Sequence, residues 1–567
     1  MRHPPGVSEH FVNRRRFLGG ALAGLCRPLA ASAPAALGFS FTDITGPAGI
    51  DFHHNSGAFG AKYLPETMGP GCAFFDYDND GWLDILLVNG MDWPDHKHQR
   101  SLLKLYRNNR NGTFTDVTDR AGLAVEMYGM GVAVADYNND GLADILITAV
   151  GQSRLFRNMG NGKFLDVTEK SGLGGRKGFS TSALWFDYNR DGLLDLLICN
   201  YVKWSPELDV FCSVDGKRKS YCTPEAYHGD TCWLYRNRGN GTFEDVTAKS
   251  GIFDPTSKSL GVTLVDYDHD GWPDILVAND TQPNKLYRNL RNGTFEDVGV
   301  RAEIAFSEDG KARAGMGIDA ADFDNSGVEG IAITNFDNEM IALYRPSKSG
   351  VYKDIAMGSG VGQASRDSLG FGCSFLDINL DGRLDLVAVN GHIDETVRQI
   401  HGHTGYQQPP HLFLNRGNDR FQDVASQVGG GFADPKVARG LAYGDFDRDG
   451  DLDLLLTTNH GPAHLYRNDV APGVHSLRLK LLGTKSNRDA IGSMVRLTTA
   501  DGTQSRMVKT GSSYLSQSEL TLTFGLGPRD SAARIVVEWA SGAVQEFGKT
   551  TAGAYECTEG GQLRKLV

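Results

Sequence analysis

The sequence predicts an all-β fold: a seven-bladed β-propeller with N-terminal strand closure, followed by a small C-terminal β-sandwich. Three observations predict it. An acidic nine-residue pattern occurs seven times in the 567 residues, and two strand-like patterns recur with a similar spacing of about 60 residues. Repeats of this length with four short strands each are typical of a propeller, because one unit alone cannot bury its apolar face.

The acidic pattern reads Asp-x-Asp-x-Asp-Gly-x-x-Asp in its first copy, at residues 76–84. Oxygen side chains at positions 1, 3, 5 and 9, with a Gly at position 6 for the sharp turn, fit a hard cation such as Ca²⁺. An EF-hand would need helical flanks and a Glu at position 12, whereas the flanks here are short apolar runs of strand length. The sequence therefore predicts calcium loops between β-strands; the alternative is polar hairpin turns without metal.

Six of the seven loops keep Asp or Asn at positions 1, 3, 5 and 9, so about six Ca²⁺ ions are predicted. The fifth loop, which starts at Asp322, has Ser326 and Gly330 at positions 5 and 9 and is predicted to bind weakly or not at all. The predicted ligand positions 1, 3, 5, 7 and 9 of the six loops are Asp76, Asp78, Asp80, Trp82, Asp84, Asp136, Asn138, Asp140, Leu142, Asp144, Asp187, Asn189, Asp191, Leu193, Asp195, Asp266, Asp268, Asp270, Trp272, Asp274, Asp377, Asn379, Asp381, Arg383, Asp385, Asp445, Asp447, Asp449, Asp451 and Asp453.

The two strand-like patterns complete each unit. Leu-Tyr-Arg-Asn or a relative starts at seven positions from Leu105 to Leu465, and Phe-x-Asp-Val-Thr or a relative occurs from Phe41 to Phe421, with Asn-Gly-Thr type turns between them. The Phe-x-Asp strand comes last in each unit. The final unit ends at Asn468 without one, while the chain opens with a spare copy at Phe41. The N-terminal strand is therefore predicted to complete the last unit and close the ring.

The first 35 residues resemble a twin-arginine export signal, with the pair Arg14 and Arg15, a short apolar run and the small-residue sequence at 33–35. The apolar run is too short for a membrane anchor, and a disordered basic leader is the alternative. The formal net charge is −12, and removal of this segment, with five Arg and one Glu, leaves −16. We expect a periplasmic or extracellular protein that has no membrane span and does not bind nucleic acid.

Residues 470–567 abandon the repeat. Short strand-like runs at 474–482, 493–498, 504–509, 519–524, 534–538 and 543–548 are separated by turns rich in Gly, Asp, Asn and Pro. They predict a compact β-sandwich after a propeller at 36–469.

The repeats resemble the FG-GAP/VCBS calcium repeats of integrin α heads, and the tail resembles an ASPIC/UnbV domain, as in the family of bacterial relatives of cartilage acidic protein. The tail motifs lie at 486–492, 511–517, 524–527 and 537–542, and Ala540 stands where the family usually has Pro. The resemblance covers nearly all of the chain after the leader. It implies an extracytoplasmic, calcium-stabilised protein with no agreed reaction.

The longest interval between calcium loops, from Asp187 to Asp266, contains four of the cysteines. A disulfide between Cys212 and Cys222 is predicted to hold this insertion, which would overhang one face of the ring as a lid or contact surface. Pairing with Cys199 or Cys232 is the alternative, and zinc is disfavoured because no C-x-x-C pair occurs. Cys72 and Cys373 occupy equivalent apolar strands and are predicted to be buried thiols.

The ligand site is expected at the mouth of the central channel on the face opposite the calcium loops. An Asn recurs at the ends of the second strands, either for binding or to bond its own turn. The candidate residues on this face are His53, His54, Glu66, Asn89, Asn279, Asp280, Asn390, His392, Asp394, His401, His403 and His460.

Taken together, these features predict an exported calcium-binding propeller that acts as a binding or adhesion module for an extracytoplasmic protein or glycan. The alternative is an exported enzyme, either a lyase or a metal-dependent oxidoreductase or hydrolase, at the channel mouth. In that case the histidines would hold an additional transition metal. Solvated loop histidines are the structural alternative.

Overall fold

A computed structural model describes residues 37–213, 216–347, 350–400 and 402–566, which belong to one unit. The predicted export signal and His401 lie outside the described residues. Strands dominate, and no helix in these ranges is both long and apolar enough to cross a membrane. The short α-helices are Thr168–Ser171, Ala356–Ser359, Val361–Ser365 and Val397–Ile400, and the 3-10 helices are Leu64–Thr67, Pro94–His96, Pro206–Leu208, Pro224–Ala226 and Ala425–Gln427.

Seven four-stranded antiparallel units follow one another along the described chain, and units 2 and 3 are joined into one sheet. Unit 1 contains Cys72–Phe75, Asp84–Leu87, Lys104–Asn108 and Phe114–Asp116. Unit 2 contains Gly129–Ala135, Asp144–Gly151, Arg154–Asn158 and Phe164–Asp166. Unit 3 contains Gly178–Phe186, Asp195–Asn200, Trp233–Asn237 and Phe243–Asp245, and unit 4 contains Ser259–Val265, Asp274–Asn279, Lys285–Asn289 and Phe295–Asp297.

Units 5 to 7 repeat the arrangement. Unit 5 contains Gly315–Ala321, Gly330–Asn335, Ala342–Pro346 and Tyr352–Asp354. Unit 6 contains Gly370–Leu376, Asp385–Asn390, His411–Asn415 and Phe421–Asp423. Unit 7 contains Ala438–Gly444, Asp453–Thr458, His464–Val470 and, as its fourth strand, Phe39–Asp43.

The units follow one another in a closed cycle. The first strand of each unit contacts the first strand of the next, and that of unit 7 contacts that of unit 1. Phe39–Asp43 pairs with the third strand of unit 7, with Phe41 opposite Asn468. The predictions of an all-β, propeller-like fold and of closure by the N-terminal strand are therefore confirmed.

The Asn of the Leu-Tyr-Arg-Asn pattern joins neighbouring units. Asn108 in unit 1 donates through Nδ2 to the carbonyl oxygen of Phe446 in the acidic loop of unit 7, at 2.9 Å. Asn158 in unit 2 donates to the carbonyl oxygen of Tyr77 in the loop of unit 1, at 2.8 Å. The equivalent donors are Asn237, Asn289, Asn415 and Asn468. Unit 5 has Pro346 at this position and therefore lacks the amide donor.

The C-terminal region contains two four-stranded sheets and a two-stranded pair. Its strands are His475–Leu482, Met494–Thr499, Gly502–Met507, Leu522–Gly527, Ser531–Ala532, Arg534–Glu538, Val544–Phe547, Thr550–Thr551, Gly553–Thr558 and Leu563–Lys565. One pair is parallel and joins the start and the end of the region, with Leu477 opposite Gly553. The sequence prediction missed the short strands Ser531–Ala532 and Thr550–Thr551 and the last two strands, Gly553–Thr558 and Leu563–Lys565.

Residues 510–519, here called the channel segment, leave the C-terminal sheets and enter the centre of the ring. The amide of Ile318 in unit 5 donates to the carbonyl of Ser513 at 3.0 Å, and the amide of Val132 in unit 2 donates to the carbonyl of Leu515 at 3.0 Å. The amide of Gln517 donates to the carbonyl of Cys72 in unit 1 at 2.9 Å. The segment thus pairs with strands from different units, although no regular sheet is formed.

Contacts of the channel segment reach the first strand of every unit in the described chain. Beyond the bonds above, the Thr510 hydroxyl accepts from the amide of Trp185 in unit 3, and the amide of Glu519 donates to the carbonyl of Tyr443 in unit 7. Close approaches complete the cycle: Gly511 lies against Val262 in unit 4, and Gly372 in unit 6 lies against Ser513. Backbone and side chains of the C-terminal region therefore fill the centre of the ring.

Glu559 holds a turn of the C-terminal region together. Its Oε2 accepts hydrogen bonds from the amides of Thr484, Lys485 and Ser486 at 2.8, 2.7 and 2.8 Å. Burial opposes ionisation, but hydrogen bonds from the Ser541 hydroxyl and these amides outweigh it and lower the pKa of Glu559 to about 2. The ionised carboxylate is therefore a structural element.

We expect Glu559→Gln to lower the free energy of unfolding at pH 7 by about 2 kcal/mol, because the amides of three consecutive residues lose a charged acceptor. The carboxylate stabilises fully above its unfolded pKa near 4.5, and this stabilisation is lost as pH falls through the folded value of about 2. Denaturant titrations from pH 7 to pH 2 should show the two proteins converging. Glu546→Gln, at an exposed pair with Arg534, is the control and should change little; equal effects of both variants would contradict the prediction.

Candidate functional site

The acidic loops connect the first and second strands of each unit, and the first loop shows their geometry. Asp76 accepts hydrogen bonds from the amides of Asp80 and Gly81 at 3.0 and 2.8 Å, which closes the turn. One carboxylate oxygen each of Asp76, Asp78 and Asp84 lies within 4.8 Å of the others. Oδ1 of Asp78 is buried without a hydrogen-bond partner. Converging carboxylates with an unpaired buried oxygen fit a hard divalent cation.

Equivalent groups occur in the fourth and seventh loops, formed by Asp266, Asp268 and Asp274 and by Asp445, Asp447 and Asp453. Loops 2, 3 and 6 have Asn at position 3, whose amide oxygen is also a suitable ligand for Ca²⁺. The acidic loops could thus hold metal ions.

The Asp at position 9 is buried in each of the six loops that have it. Burial is the main cause that raises the pKa values of Asp84, Asp144 and Asp274 to about 8. A carboxyl group held in this way ionises readily only beside a positive charge. A bound divalent cation would supply that charge, so burial and ligand chemistry are mutually consistent.

The fifth loop differs by more than the loss of two carboxylates. A Cβ added at Gly330 would lie 2.2 Å from the ring of Phe323, which occupies the space beside position 9. The amide of Gly327 still bonds to Asp322 at 3.0 Å, so the turn itself is kept. The structure retains the loop shape here without the position-9 acid.

The sequence did not predict the backbone conformation that the loops share at position 4. All seven residues at this position have positive φ, between 55° and 64°. From it, Asn79 donates to the carbonyl of Gly141 in the next loop at 2.7 Å, and Asn139 donates to that of Gly192 at 2.9 Å. Residue type varies, from Asn to Arg, His and Leu, so the sequence carries little signal for this shared conformation.

The C-terminal region covers the loop face. Arg478 pairs with Asp445 in the seventh loop at 2.7 Å, and Asp489 accepts from the amide of Asp136 in the second loop at 2.7 Å. Position 1 of two loops is therefore in contact with both the acidic turn and the C-terminal region.

On the opposite face, the recurring Asn residues brace their own turns. The Nδ2 groups of Asn89, Asn279 and Asn390 donate to the carbonyls of Leu102, Pro283 and Pro409, at 3.1, 2.8 and 2.6 Å. In each case the acceptor lies just before the third strand. These contacts support the structural interpretation of the repeated Asn over a binding role.

The predicted histidines do not form one cluster but lie at separate positions. The rings of His53 and His460 lie 5.7 Å apart, and the amide of His460 donates to Nδ1 of His54 at 3.1 Å. Burial lowers the pKa of His54 to about 3, so it is neutral at physiological pH.

His392 lies with acidic neighbours instead. Its Nε2 is 4.0 Å from Asp337, and its Nδ1 accepts from the amide of Asp394 at 3.0 Å. His403 is exposed. Among the residues that the structure describes, the histidines form no group of three close metal-ligating side chains. The transition-metal hypothesis gains no support from these positions.

The long insertion of unit 3 packs on this face. The disulfide between Cys212 and Cys222 is present, as predicted, and Cys72 and Cys373 are buried thiols. The Tyr221 hydroxyl donates to Glu66 at 3.1 Å. Burial raises the pKa of Glu66 to about 7. The insertion therefore contacts one of the predicted ligand-face residues directly.

Aromatic side chains join the insertion to the ring. Trp204 lies 5.3 Å from Trp93 and 5.4 Å from Tyr63, ring to ring, and a cluster of buried apolar residues extends from there to Tyr514 of the channel segment. By contrast, Leu208, Val210 and Phe211 at the edge of the insertion are exposed. The face thus combines a fixed aromatic base with an apolar rim open to solvent.

A cleft of about 180 Å³ opens beside this insertion. Its floor is apolar and rests on the ring centre that the channel segment fills, and its walls include three carboxylates. The residues lining it are Leu64, Thr67, Met68, Tyr201, Cys222, Thr223, Pro224, Glu225, Leu260, Asp280, Thr281, Ala314, Met316, Phe336, Glu339, Phe371 and Ile393. Of the predicted ligand-face residues, the cleft includes Asp280.

Two family models match the chain. The FG-GAP-like repeat model matches residues 76–147, 140–198, 208–277, 266–329 and 390–456, which together make up more than half of the sequence. The ASPIC and UnbV model matches residues 483–561. The matched segments contain acidic loops and the C-terminal sheets described above.

Curated relatives include cartilage acidic protein 1 from Mus musculus, with 27% identity over 319 residues, or 55% of this chain and 38% of the relative. The Homo sapiens protein of the same name is 28% identical over 318 residues, or 55% of this chain and 37% of the relative. The chain thus spans less than two-fifths of the length of these relatives.

Solved structures with a similar backbone include an Agrocybe aegerita lectin that recognises non-reducing terminal N-acetylglucosamine. Its TM-score is 0.40, and the match covers 70% of this chain and 87% of the lectin at 16% identity. Another is YCF48 bound to a D1 peptide, with a TM-score of 0.41 and 9% identity over 77% of this chain and 100% of that chain. The family models carry the assignment: the chain belongs to the FG-GAP-like repeat family and has a C-terminal ASPIC and UnbV domain.

Proposed function

We propose that the protein is an exported calcium-binding propeller that acts as a binding module for an extracytoplasmic protein or glycan. One observation carries the proposal. The channel segment fills the centre of the ring, so the mouth opposite the acidic loops is a closed surface and not an open channel. This surface has a cleft and an apolar rim at which a ligand could bind. A concave site with an apolar floor and a few polar groups is the usual form of a ligand site.

Calcium binding is supported by the loop geometry. Converging carboxylates, buried acids with raised pKa values and unpaired buried oxygens occur together in the loops. We expect about six ions, with the fifth loop empty or weak. The role of calcium in this proposal is structural, because the loops lie on the face covered by the C-terminal region.

Export is supported by the twin-arginine-like leader in the sequence and by the disulfide, since disulfides persist mainly in oxidising compartments. The exposed rim of Leu208, Val210 and Phe211 favours a protein surface as the ligand, because clustered exposed apolar side chains commonly mark contact sites. The domain limits at 36–469 and 470–567 are part of this proposal.

The test is binding of the intact, calcium-loaded protein to arrays of glycans and of proteins from its own envelope or medium. Phe211→Ser should weaken capture of a true ligand at least about tenfold, since exposed aromatics at contact centres carry much of the binding energy. Leu165→Ser changes another exposed apolar residue, on the outer strand of unit 2, and should have no effect. Binding that is equally sensitive to both variants, or to neither, would contradict a site on the insertion.

A further inference from the structure

The cleft beside the insertion has an unusual balance of charge. Asp280, Glu225 and Glu339 line it, and none of the described Lys, Arg or His residues does. Asp280 is only 7% exposed, and its Oδ2 accepts from the Tyr201 hydroxyl at 2.5 Å. Its other carboxylate oxygen has no hydrogen-bond partner among the described residues. A nearly buried carboxylate therefore faces the cleft with one oxygen available.

The nearest cationic side chains form their hydrogen bonds and ion pairs with groups other than the cleft carboxylates. Lys258 donates to the carbonyl of Pro224 at 2.7 Å, and Arg313 pairs with Asp354 at 2.9 Å. Arg439 donates to backbone carbonyls and stacks 3.8 Å from the centre of the Phe371 ring, which separates it from the cleft. The charge of Lys258 acts on Asp280 and Glu225, but among the described residues no cationic nitrogen lies within ion-pair distance of the cleft carboxylates. Burial of Asp280 without such a partner is unfavourable.

The floor of the cleft is apolar and fully formed. Leu260, Met316 and Phe371 are each at most 3% exposed, and Ile393 and Phe336 stand at the side. The volume of about 180 Å³ is below the roughly 300–1,000 Å³ of sites for drug-sized molecules. A single small apolar group fits this space, with a polar head placed at the carboxylates.

We infer that this cleft binds a small apolar amine, with the stem on Leu260, Met316 and Phe371 and the ammonium head at Asp280, supported by Glu339. The inference rests on the proposed function only in placing a ligand site at this mouth. The same chemistry is offered by a free amine and by a lysine side chain of a partner. The small volume of the cleft favours the free amine.

The test uses ligand-observed NMR or calorimetry on the intact calcium-loaded protein, with 2-phenylethylamine as the probe. 2-Phenylethanol is the neutral probe of similar shape. The amine should bind at least about tenfold more tightly than the alcohol, because a charged hydrogen bond to a poorly solvated carboxylate is lost in the alcohol. Asp280→Asn should remove this preference while keeping an acceptor for Tyr201.

Three further proteins make the result decisive. Asp95→Asn removes an exposed acid elsewhere on the face and should bind like the parent. Ala314→Leu fills the cleft without changing charge and should abolish binding of both probes. Glu339→Gln provides a second test of the charge, should Asp280→Asn fail to fold, and should weaken amine binding severalfold.

Equal binding of amine and alcohol, no binding of the amine, or full binding to Asp280→Asn and Glu339→Gln would overturn the inference. A capped Gly-Gly-Lys-Gly-Gly peptide that binds more tightly than the amine, and that Ala314→Leu excludes, would overturn the small-molecule assignment in favour of a partner's lysine. Neither the amine measurement nor the peptide measurement uses a macromolecular ligand. Failure of array binding with intact amine binding would therefore count against the proposed function alone.

Discussion

Removal of calcium is expected to lower the melting temperature of this protein by about 10 °C or more. A ligand that binds only the folded state adds about 2.7 kcal/mol per site when it is present at 100 times its dissociation constant, and about six sites act together. Without the ions, buried acids such as Asp84 and Asp274 lose their compensating charge. Thermal unfolding in millimolar calcium, compared with excess chelator, measures the effect.

Matched loop variants test which sites contribute. Asp268→Ala in the fourth loop removes an oxygen ligand, so it should reduce the number of bound ions by about one and lower the melting temperature in calcium. Asp324→Ala changes the same loop position in the fifth loop, where Phe323 fills the space beside Gly330, and should change neither quantity. A melting temperature that does not respond to chelation would remove calcium from the proposal altogether.

Gly71→Ala is expected to destabilise the protein by about 3 kcal/mol or more. A Cβ at this position would lie 1.8 Å from the carbonyl oxygen of Leu515 in the channel segment, so one of the two backbones must move. The effect should appear as one lowered, cooperative transition, since the channel segment contacts every unit. Denaturant unfolding of the calcium-loaded protein measures it.

Gly46→Ala is the control, because a Cβ there meets no atom within 4 Å and the backbone conformation is open to other residues. That variant should unfold within about 0.5 kcal/mol of the parent. If Gly71→Ala behaved in the same way, the channel segment would not occupy the centre of the ring in solution.

Much of the fold could be predicted because its signals are local and repeated. The spacing of Asp and Gly marks the acidic loops, and the spare Phe-x-Asp copy at Phe41 predicts the pairing seen opposite Asn468. The parallel pairing of His475–Leu482 with Gly553–Thr558 joins distant segments and has no local signature. The channel segment was seen as the motif 511–517, but its place depends on seven strands from elsewhere in the chain.

The candidate site was predicted less completely, for a similar reason. Asp280 could be found because it follows the end of a second strand, a position where propellers commonly present polar groups. Met316 and Phe371 look like ordinary core residues in the sequence, and only the assembled ring shows that they form the floor of a cleft. Positive φ at position 4 is likewise set by the loop as a whole, since Leu380 adopts it as well as Asn79 does.

The pairing of the first strand with the last unit has a consequence for synthesis. Thr42 contacts Asp469 across 427 residues of chain. At roughly 5–20 residues per second, translation from one to the other takes on the order of 20–90 s. During that time the growing chain carries an unclosed fan with two free sheet edges, and the segment that fills its centre is made later still. Nascent chains stalled before residue 470 should therefore be aggregation-prone and rely on chaperones in a way that the finished protein does not.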